Sequence, residues 1–256
     1  MKIISLNIWG GRAGKEKLLE FFRKYKNTID VFCLQEVWSA PHKNLEGKLA
    51  GGVPLNNAQI MTEGVREISN ILVDHIPYFR PHLGDNYGII MFVRKGIEVI
   101  EEGEEFVHGL KGYLPEGDLG NHPRNIQFAT LRKGKDIVTV INFHGLWNGK
   151  GKTDSEDRLS QSNKIADFIK RQKHGIVLCG DFNLLPETES LKIVEKTGLR
   201  NLINEYGITS TRTSYYMKPI KFADYAFISD DIKVKDFRIL PEEVSDHAPL
   251  LIEITF

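Results

Sequence analysis

Near the end of the chain an aspartate and a histidine stand side by side, Asp246-His247, directly before the apolar run Ala248-Pro249-Leu250-Leu251-Ile252. At the mouth of a buried strand such a carboxylate can hold a cation, and the neighbouring imidazole can take a proton from water. That pairing reads as hydrolytic chemistry, and it raises the question of which other polar residues would converge on it.

Several other apolar runs stop on residues with the same capacity. Asn7 interrupts the strand-like Lys2–Trp9, and Val31-Phe32-Cys33-Leu34 stops on Gln35-Glu36. A carboxylate at the carboxyl end of a buried strand is costly unless it is paired or metal-bound, which makes Glu36 the leading candidate metal ligand. The run Ile176–Cys179 leaves through Gly180 to Asp181 and Asn183, which, two apart in an extended exit, face the same way. His144 closes Val138–Phe143. Asp224 sits early in the apolar strand Ala223–Ile228, where its natural partner is an imidazole: an aspartate accepting one ring N–H fixes the tautomer and raises the basicity of the other nitrogen. His247 is the expected partner. Each residue alone has an ordinary reading, as a turn amide, a surface acid, an Asx turn or a packed ring; their recurrence at strand ends gives them weight.

The elements that must position them are mostly strands. Further strands are predicted at Gly88–Arg94, Ile97–Glu101, Ile126–Leu131, Ile137–Phe143, Gly175–Gly180, Ile232–Leu240 and Leu250–Phe256. Apolar stripes at helical spacing predict helices over Lys15–Tyr25, Val65–His75 and Arg158–Arg171, with a shorter one over Glu189–Thr197. Trp38–Gly64 and Gly145–Asp157 read as irregular, the former except around Ala58–Thr62. Strand-helix-strand order combined with hairpin-like succession predicts an α/β architecture of mixed β-sheets with helices covering their outer faces. With 256 residues, 41% of them apolar, the chain has the material for one large core, and a single domain over 1–256 is expected.

Lys plus Arg and Asp plus Glu both number 34, so the formal charge is zero. Proteins dedicated to long duplex carry a surplus of cations for counterion release, so that class is disfavoured. Cys33 and Cys179, each between apolar neighbours, read as reduced packed thiols rather than a disulfide. The N-terminal MKIISLNIWGG reads as a first strand, and no run approaches 18 apolar residues. A cytoplasmic monomer is expected.

LNIWGG, LQEVW, FHG, GDFN, ADYAFIS and SDHAPL occur in the order and rough spacing of the endonuclease/exonuclease/phosphatase superfamily, which the chain resembles from Lys2 to its C-terminus. Any one string is weak; all six in order are specific. The resemblance implies a DNase I-like, four-layer α/β sandwich, in which two packed, mostly antiparallel mixed β-sheets are flanked by helices, and a phosphoesterase that uses Mg²⁺, or Mn²⁺, in attack of water on phosphorus in line with the departing oxygen. It implies that Glu36, Asn7 and Asp246 serve the metal, that Asp181 and Asn183 orient the nucleophile or hold the transition state, and that His247, oriented by Asp224, is the base. His144 resembles a second active-site histidine and Arg124 a phosphate-contacting arginine. Oxygen and amide donors, without a Cys or compact His cluster, suit a hard ion rather than zinc.

One departure stands out. DNase I-type nucleases often carry a glutamate near the start of the strand equivalent to Gly88–Arg94, as partner of the second histidine; this chain reads Asp85-Asn86-Tyr87-Gly88 there, leaving Asp85 or Glu63 as substitutes. The loop after His144 places Trp147, Lys150, Lys152 and Arg158 where they could flank a leaving group, and Trp147 could stack a base. The expected substrate is a phosphodiester, in single-stranded or damaged nucleic acid or in a small nucleotide-like diester. The alternatives are a phosphomonoesterase or lipid-headgroup phosphodiesterase of the same superfamily, and a non-catalytic binding module on the same fold.

Overall fold

In β1 (Lys2–Asn7) and β2 (Val31–Trp38) apolar side chains alternate between two cores: Ile3, Val31 and Cys33 enter one, and Ile4, Leu6, Phe32 and Leu34 the other. Strands buried on both faces require a layer on each side. In the computed structural model, which describes residues 1–41 and 43–255, those layers are a second sheet and a set of helices. α1 (Lys15–Tyr25) lays Leu18, Leu19 and Phe22 on the outer face of this first sheet, and α2 (Gly64–Ser69) adds Ile68.

Chain order continues with the short ribbon β3 (Leu49–Ala50) and β4 (Val53–Pro54), then β5 (His75–Leu83), β6 (Tyr87–Arg94), β7 (Glu98–His108), β8 (Arg124–Lys133) and β9 (Asp136–His144). It ends with α3 (Glu156–Lys170), β10 (Gly175–Asp181), α4 (Glu189–Glu195), β11 (Leu199–Asn201), α5 (Leu202–Glu205), β12 (Asp224–Ser229), β13 (Lys233–Ile239) and β14 (Leu250–Thr255). The sheets run β13-β14-β1-β2-β6-β5 and β11-β12-β10-β9-β8-β7. α3 covers the second sheet's outer face with Ile165, Phe168 and Ile169. The result is the four-layer sandwich that the resemblance implied.

Each sheet contains one parallel pair at its middle, β1 with β2 and β9 with β10, each joined by a crossover helix; the other pairings are antiparallel. Parallel strands end on the same edge, and the two pairs lie against each other. The carboxyl ends that carry Asn7, Glu36, His144 and Asp181 therefore meet. Beneath them a buried polar seam fixes the sheets' relative register. Gln35 Nε2 donates to Asn142 Oδ1 at 2.7 Å, and Asn142 Nδ2 reaches Leu34 O, Ile90 O and Gln127 Oε1.

Several sequence expectations are corrected here. The predicted helix Val65–His75 stops at Ser69, and His75 opens an edge strand, β5, that pairs only with β6. Pro77 and Pro81 hid that strand, since proline is tolerated where the outer N–H has no ladder to join. Ile97–Glu101 extends to His108 because β7 is also an edge, where glutamates discourage pairing with another chain. Around Ala58–Thr62 there is a 3-10 turn, Asn57–Gln59. His42, in the irregular stretch, and Phe256, the last residue of the predicted Leu250–Phe256 strand, lie outside the described residues. Cys33 and Cys179 are free thiols that touch across the two sheets.

Gly180 shows how tightly the exit to Asp181 is built: its φ is +148°, and a Cβ there would lie 1.9 Å from Phe143 O. Gly180→Ala is expected to cost more than about 3 kcal/mol, because backbone rather than a flexible side chain must yield. Urea denaturation checks this; a midpoint within error of wild type would contradict the packing described.

Candidate active site

At the junction of the parallel pairs the amide of Asn7, fully buried, donates through Nδ2 to Glu36 Oε1 at 3.0 Å and to Asp181 Oδ2 at 2.9 Å, while its Oδ1 accepts from Trp9 N. One side chain thus spans carboxylates from both sheets. Glu36 is aimed by a bulge: the β2–β6 register shifts between Leu34 and Val37, and Glu36 adopts φ +58°. Bulges re-aim side chains in this way, and a left-handed backbone at a non-glycine residue is sustained only where its surroundings hold it. Asn183, at φ +55°, is the counterpart on the second sheet. Its N–H is held by Asp181 Oδ1 at 2.9 Å and its Nδ2 by Gly145 O at 3.3 Å, leaving the second amide N–H uncommitted by any other side-chain bond.

Asp181 is shared by two groups of donor atoms that lie within 4.8 Å of one another, Glu36–His144–Asp181 and Asp181–Asp224–His247. His144 Nε2 stands 3.9 Å from Glu36 Oε1 and 3.8 Å from Asp181 Oδ2, and His247 Nε2 stands 3.6 Å from Asp181 Oδ2. His247 Nδ1 meets both oxygens of Asp224, at 2.8 and 2.9 Å, as the sequence pairing anticipated. Asp246 is not brought into either group: its Oδ2 accepts from Arg212 at 2.8 Å, and its Oδ1 lies 3.8 Å from His247 Nε2. Asn7 likewise turns its N–H groups, not its oxygen, toward the carboxylates, so in this structure it is a bridge rather than a ligand.

Burial sets the electrostatics. It raises the carboxyls of Glu36 and Asp246 above their ordinary values, against the pull of Arg12 and Asn7 on the first and of His247 and Arg212 on the second. It lowers both histidines, helped by Arg124 beside His144 and Arg212 beside His247, so both rings are neutral near pH 7. Carboxylates that burial disposes to protonate, with oxygen-rich donors converging, form a set that fits a hard divalent cation.

His144 has an unexpected partner. Arg124 NH1 lies 3.1 Å from its Nδ1. A guanidinium only donates, so Nδ1 accepts and the ring proton sits on Nε2, facing Glu36 and Asp181. His144 is therefore a fixed N–H donor. Neither substitute considered for the missing glutamate serves: Glu63 pairs with Arg66 at the surface, and Asp85 is exposed in the β5–β6 turn. Behind His144 stand His82, at 5.7 Å between ring centroids, and His122, 4.9 Å from His82. Burial and Arg124 push His82 down to about 3 and hold His122 well below its ordinary value, so the stack is uncharged.

The cavity above these groups measures about 970 Å³ and is walled by Trp9, Trp38, Tyr87, Trp147, Tyr215 and Tyr216. Trp147 packs on Gly51, where any Cβ would lie 2.1 Å from its Nε1, and Lys218 Nζ sits 5.7 Å above its ring. Asp118 fastens that wall by accepting from Gly51 N and Gly52 N at 2.6 and 2.7 Å. Arg124, expected to contact phosphate, is only 2% exposed and reaches the cavity beside His144. Arg158 does not reach it: its guanidinium is spent on Thr153 O, Leu146 O and Gly151 O, which shapes the loop from within. Sequence reasoning missed Arg212, Tyr216, His82 and His122. The basic and aromatic residues of Arg212–Tyr216, ahead of Asp224, were a usable signal; nothing local distinguishes His82.

Arg124→Met should free the His144 ring to populate both tautomers and lower turnover about 100-fold through loss of one oriented donor. Nitrogen-15 shifts of the ring report the tautomer. A ring that keeps its Nε2 proton at unchanged rate would contradict the assignment.

The sequence matches the model of the Endonuclease/Exonuclease/phosphatase family over residues 4–247. No functionally curated protein matches it. Among solved structures, a functionally unknown conserved protein of Enterococcus faecalis superposes with a TM-score of 0.74 at 17% identity, covering 100% of this chain and 99% of the other. A mannosyl-6-phosphatase of Bacteroides thetaiotaomicron gives 0.71 at 15%, with all of both chains covered. D. rerio TDP2 complexed with a single-strand DNA product gives 0.66 at 18%, covering 100% and 99%. At such identities the structural likeness establishes the fold, and with the sequence match over nearly its whole length the chain belongs to the Endonuclease/Exonuclease/phosphatase family.

Proposed function

We propose that the chain is a divalent-metal-dependent hydrolase of phosphate esters. The observation that carries this reading is the convergence of Glu36, His144 and the Asp224–His247 pair on the single carboxylate of Asp181. Glu36 and Asp181 would hold Mg²⁺ or Mn²⁺, with Asn7 keeping the two carboxylates at a fixed separation and Asp246 adding negative charge nearby. When bound, the ion supplies positive charge against which the phosphoryl and leaving oxygens can develop theirs.

The chain's own residues do the rest. His247, its Nδ1–H committed to Asp224, presents Nε2 as the acceptor for a water proton, and the Asp224 carboxylate stabilises the imidazolium that results. Asp181 Oδ2, 3.6 Å from Nε2, positions that water. As the water oxygen bonds to phosphorus, the bond opposite breaks and its electrons leave with the departing oxygen. His144 Nε2–H and the spare N–H of Asn183 donate to phosphoryl oxygens as their charge grows.

The cavity is walled by aromatic residues, and its volume suits a nucleotide or sugar phosphate unit. A nucleotide-like diester or the end of a single strand fits the expectation from sequence, and Trp147 offers a stacking face. The likeness to both a TDP2 and a mannosyl-6-phosphatase is in keeping with either ester class. Two cysteines, both buried among apolar neighbours, are in keeping with the cytoplasmic setting expected from the sequence. Among the described residues no helix is long and apolar enough to cross a membrane.

Hydrolysis of p-nitrophenyl phosphate or bis-p-nitrophenyl phosphate should require Mg²⁺ or Mn²⁺ and stop with EDTA. His247→Ala should lower kcat by about 1,000-fold with a melting midpoint close to wild type, and Glu36→Gln should weaken metal affinity by calorimetry. No turnover with any divalent ion would leave only a binding module.

The pH profile has a defined sign. His247 works unprotonated, so the rate falls as pH drops through its pKa; burial and Arg212 lower that pKa, so the acid limb should lie below histidine's ordinary value of about 6.5. An acid limb above pH 7 would contradict the base assignment.

A further inference from the structure

In the wall of the cavity, two cations are buried with more donors than partners. Lys152 is 5% exposed and its Nζ donates to Phe222 O at 2.7 Å, one bond for a group with three N–H. The Arg212 side chain is 3% exposed; its NH1 is on Asp246 and its Nε has no partner. Both line the cavity, and both lie over one ring, Tyr216, at 5.2 Å for Lys152 Nζ and 4.2 Å for Arg212 Cζ. Burial, with Arg212 close by, lowers the Lys152 ammonium from its ordinary value, as expected where one cation crowds another. With Arg212 paired to Asp246 and Lys152 bonded to one carbonyl, both keep donors that an anion entering the cavity could occupy.

Resting on the phosphoesterase reading above, we propose that Lys152 and Arg212 form the subsite that selects a terminal, doubly charged phosphoryl group, making the substrate a phosphomonoester rather than a diester. Two arguments converge. The four carboxylates at the centre, Glu36, Asp181, Asp224 and Asp246, are already matched in number by Arg12, Arg124, Lys152 and Arg212, and Lys15 and Lys218 also line the cavity, so a bound divalent ion leaves at least two positive charges to be met. A monoester brings up to about two negative charges at neutral pH, a diester only one. A monoester also offers a third terminal oxygen to accept the spare donors, whereas the second ester group of a diester would cover two cations without replacing their water. Tyr216 keeps the two side chains in place through its ring face.

The test compares kcat/KM on p-nitrophenyl phosphate and bis-p-nitrophenyl phosphate with Mg²⁺, together with calorimetric binding of inorganic phosphate, in the full chain. Lys152→Gln keeps a donor for Phe222 O while removing the charge; Arg212→Met and the charge-retaining Lys152→Arg accompany it. Wild type should prefer the monoester. Lys152→Gln and Arg212→Met should each lower the monoester-to-diester ratio and the phosphate affinity by at least ~10-fold, with Lys152→Arg restoring much of both. A diester preference in wild type, or an unchanged ratio and phosphate affinity in the folded variants, overturns the subsite. Should neither ester be hydrolysed, the phosphoesterase reading is what fails, and phosphate affinity alone then decides whether the two cations hold an anion.

Discussion

A single amide holds the site together. Asn7 Nδ2 bonds a carboxylate from each sheet, Glu36 and Asp181, residues 29 and 174 positions away from it in the chain. Two carboxylates, one buried and one half-buried, repel each other, and only shared donors or a cation make their proximity tolerable. The topology supplies that proximity, since two parallel pairs end on the same edge and the Gln35–Asn142 bond beneath them fixes how the sheets slide. The bulge at Glu36 and the glycine exit at Gly180 then make the final adjustment of aim. The functional geometry is thus a property of sheet register more than of loops.

Around this centre, charge is arranged so that the imidazoles stay neutral. Arg124 and Arg212 stand beside His144 and His247, the first bonded directly to a ring nitrogen and the second held on the neighbouring Asp246. The two rings consequently present different groups to the cavity. His247, with Nδ1 turned to Asp224, offers a lone pair; His144, with Nδ1 turned to Arg124, offers a proton that it does not give up. Where a carboxylate partner would make a histidine more basic, an arginine partner makes it a dipole of fixed direction. The uncharged stack of His82 and His122 behind it provides an apolar but hydrogen-bonding wall that does not compete for the cation.

Much of this was legible in the sequence because burial and periodicity make exceptions conspicuous. Glu36, Asp181, His144 and Asp224 stand out where apolar strands end on polar residues, and the Asp224–His247 partnership follows from what a buried aspartate requires. Residues that act by filling space or balancing charge were less legible. Arg212 and Tyr216 sit in a loop whose path only the fold determines, and His82 lies on an edge strand whose prolines disguised it. Arg158 misled for a related reason: an arginine in a polar loop resembles a substrate contact until its carbonyl partners are seen. Arg124 was expected to contact phosphate, but its bond to His144 depends on the pairing of β8 with β9, a long-range fact that no local string contains.

The central claim, that carboxylates from the two sheets are held together to share one hard cation, is tested most directly by locating that cation. Crystals soaked in Mn²⁺ and measured for anomalous scattering should show their strongest peak in contact with both Glu36 and Asp181, within reach of the water site beside His247. A peak bound elsewhere, with those two carboxylates still joined only through Asn7, would contradict the account.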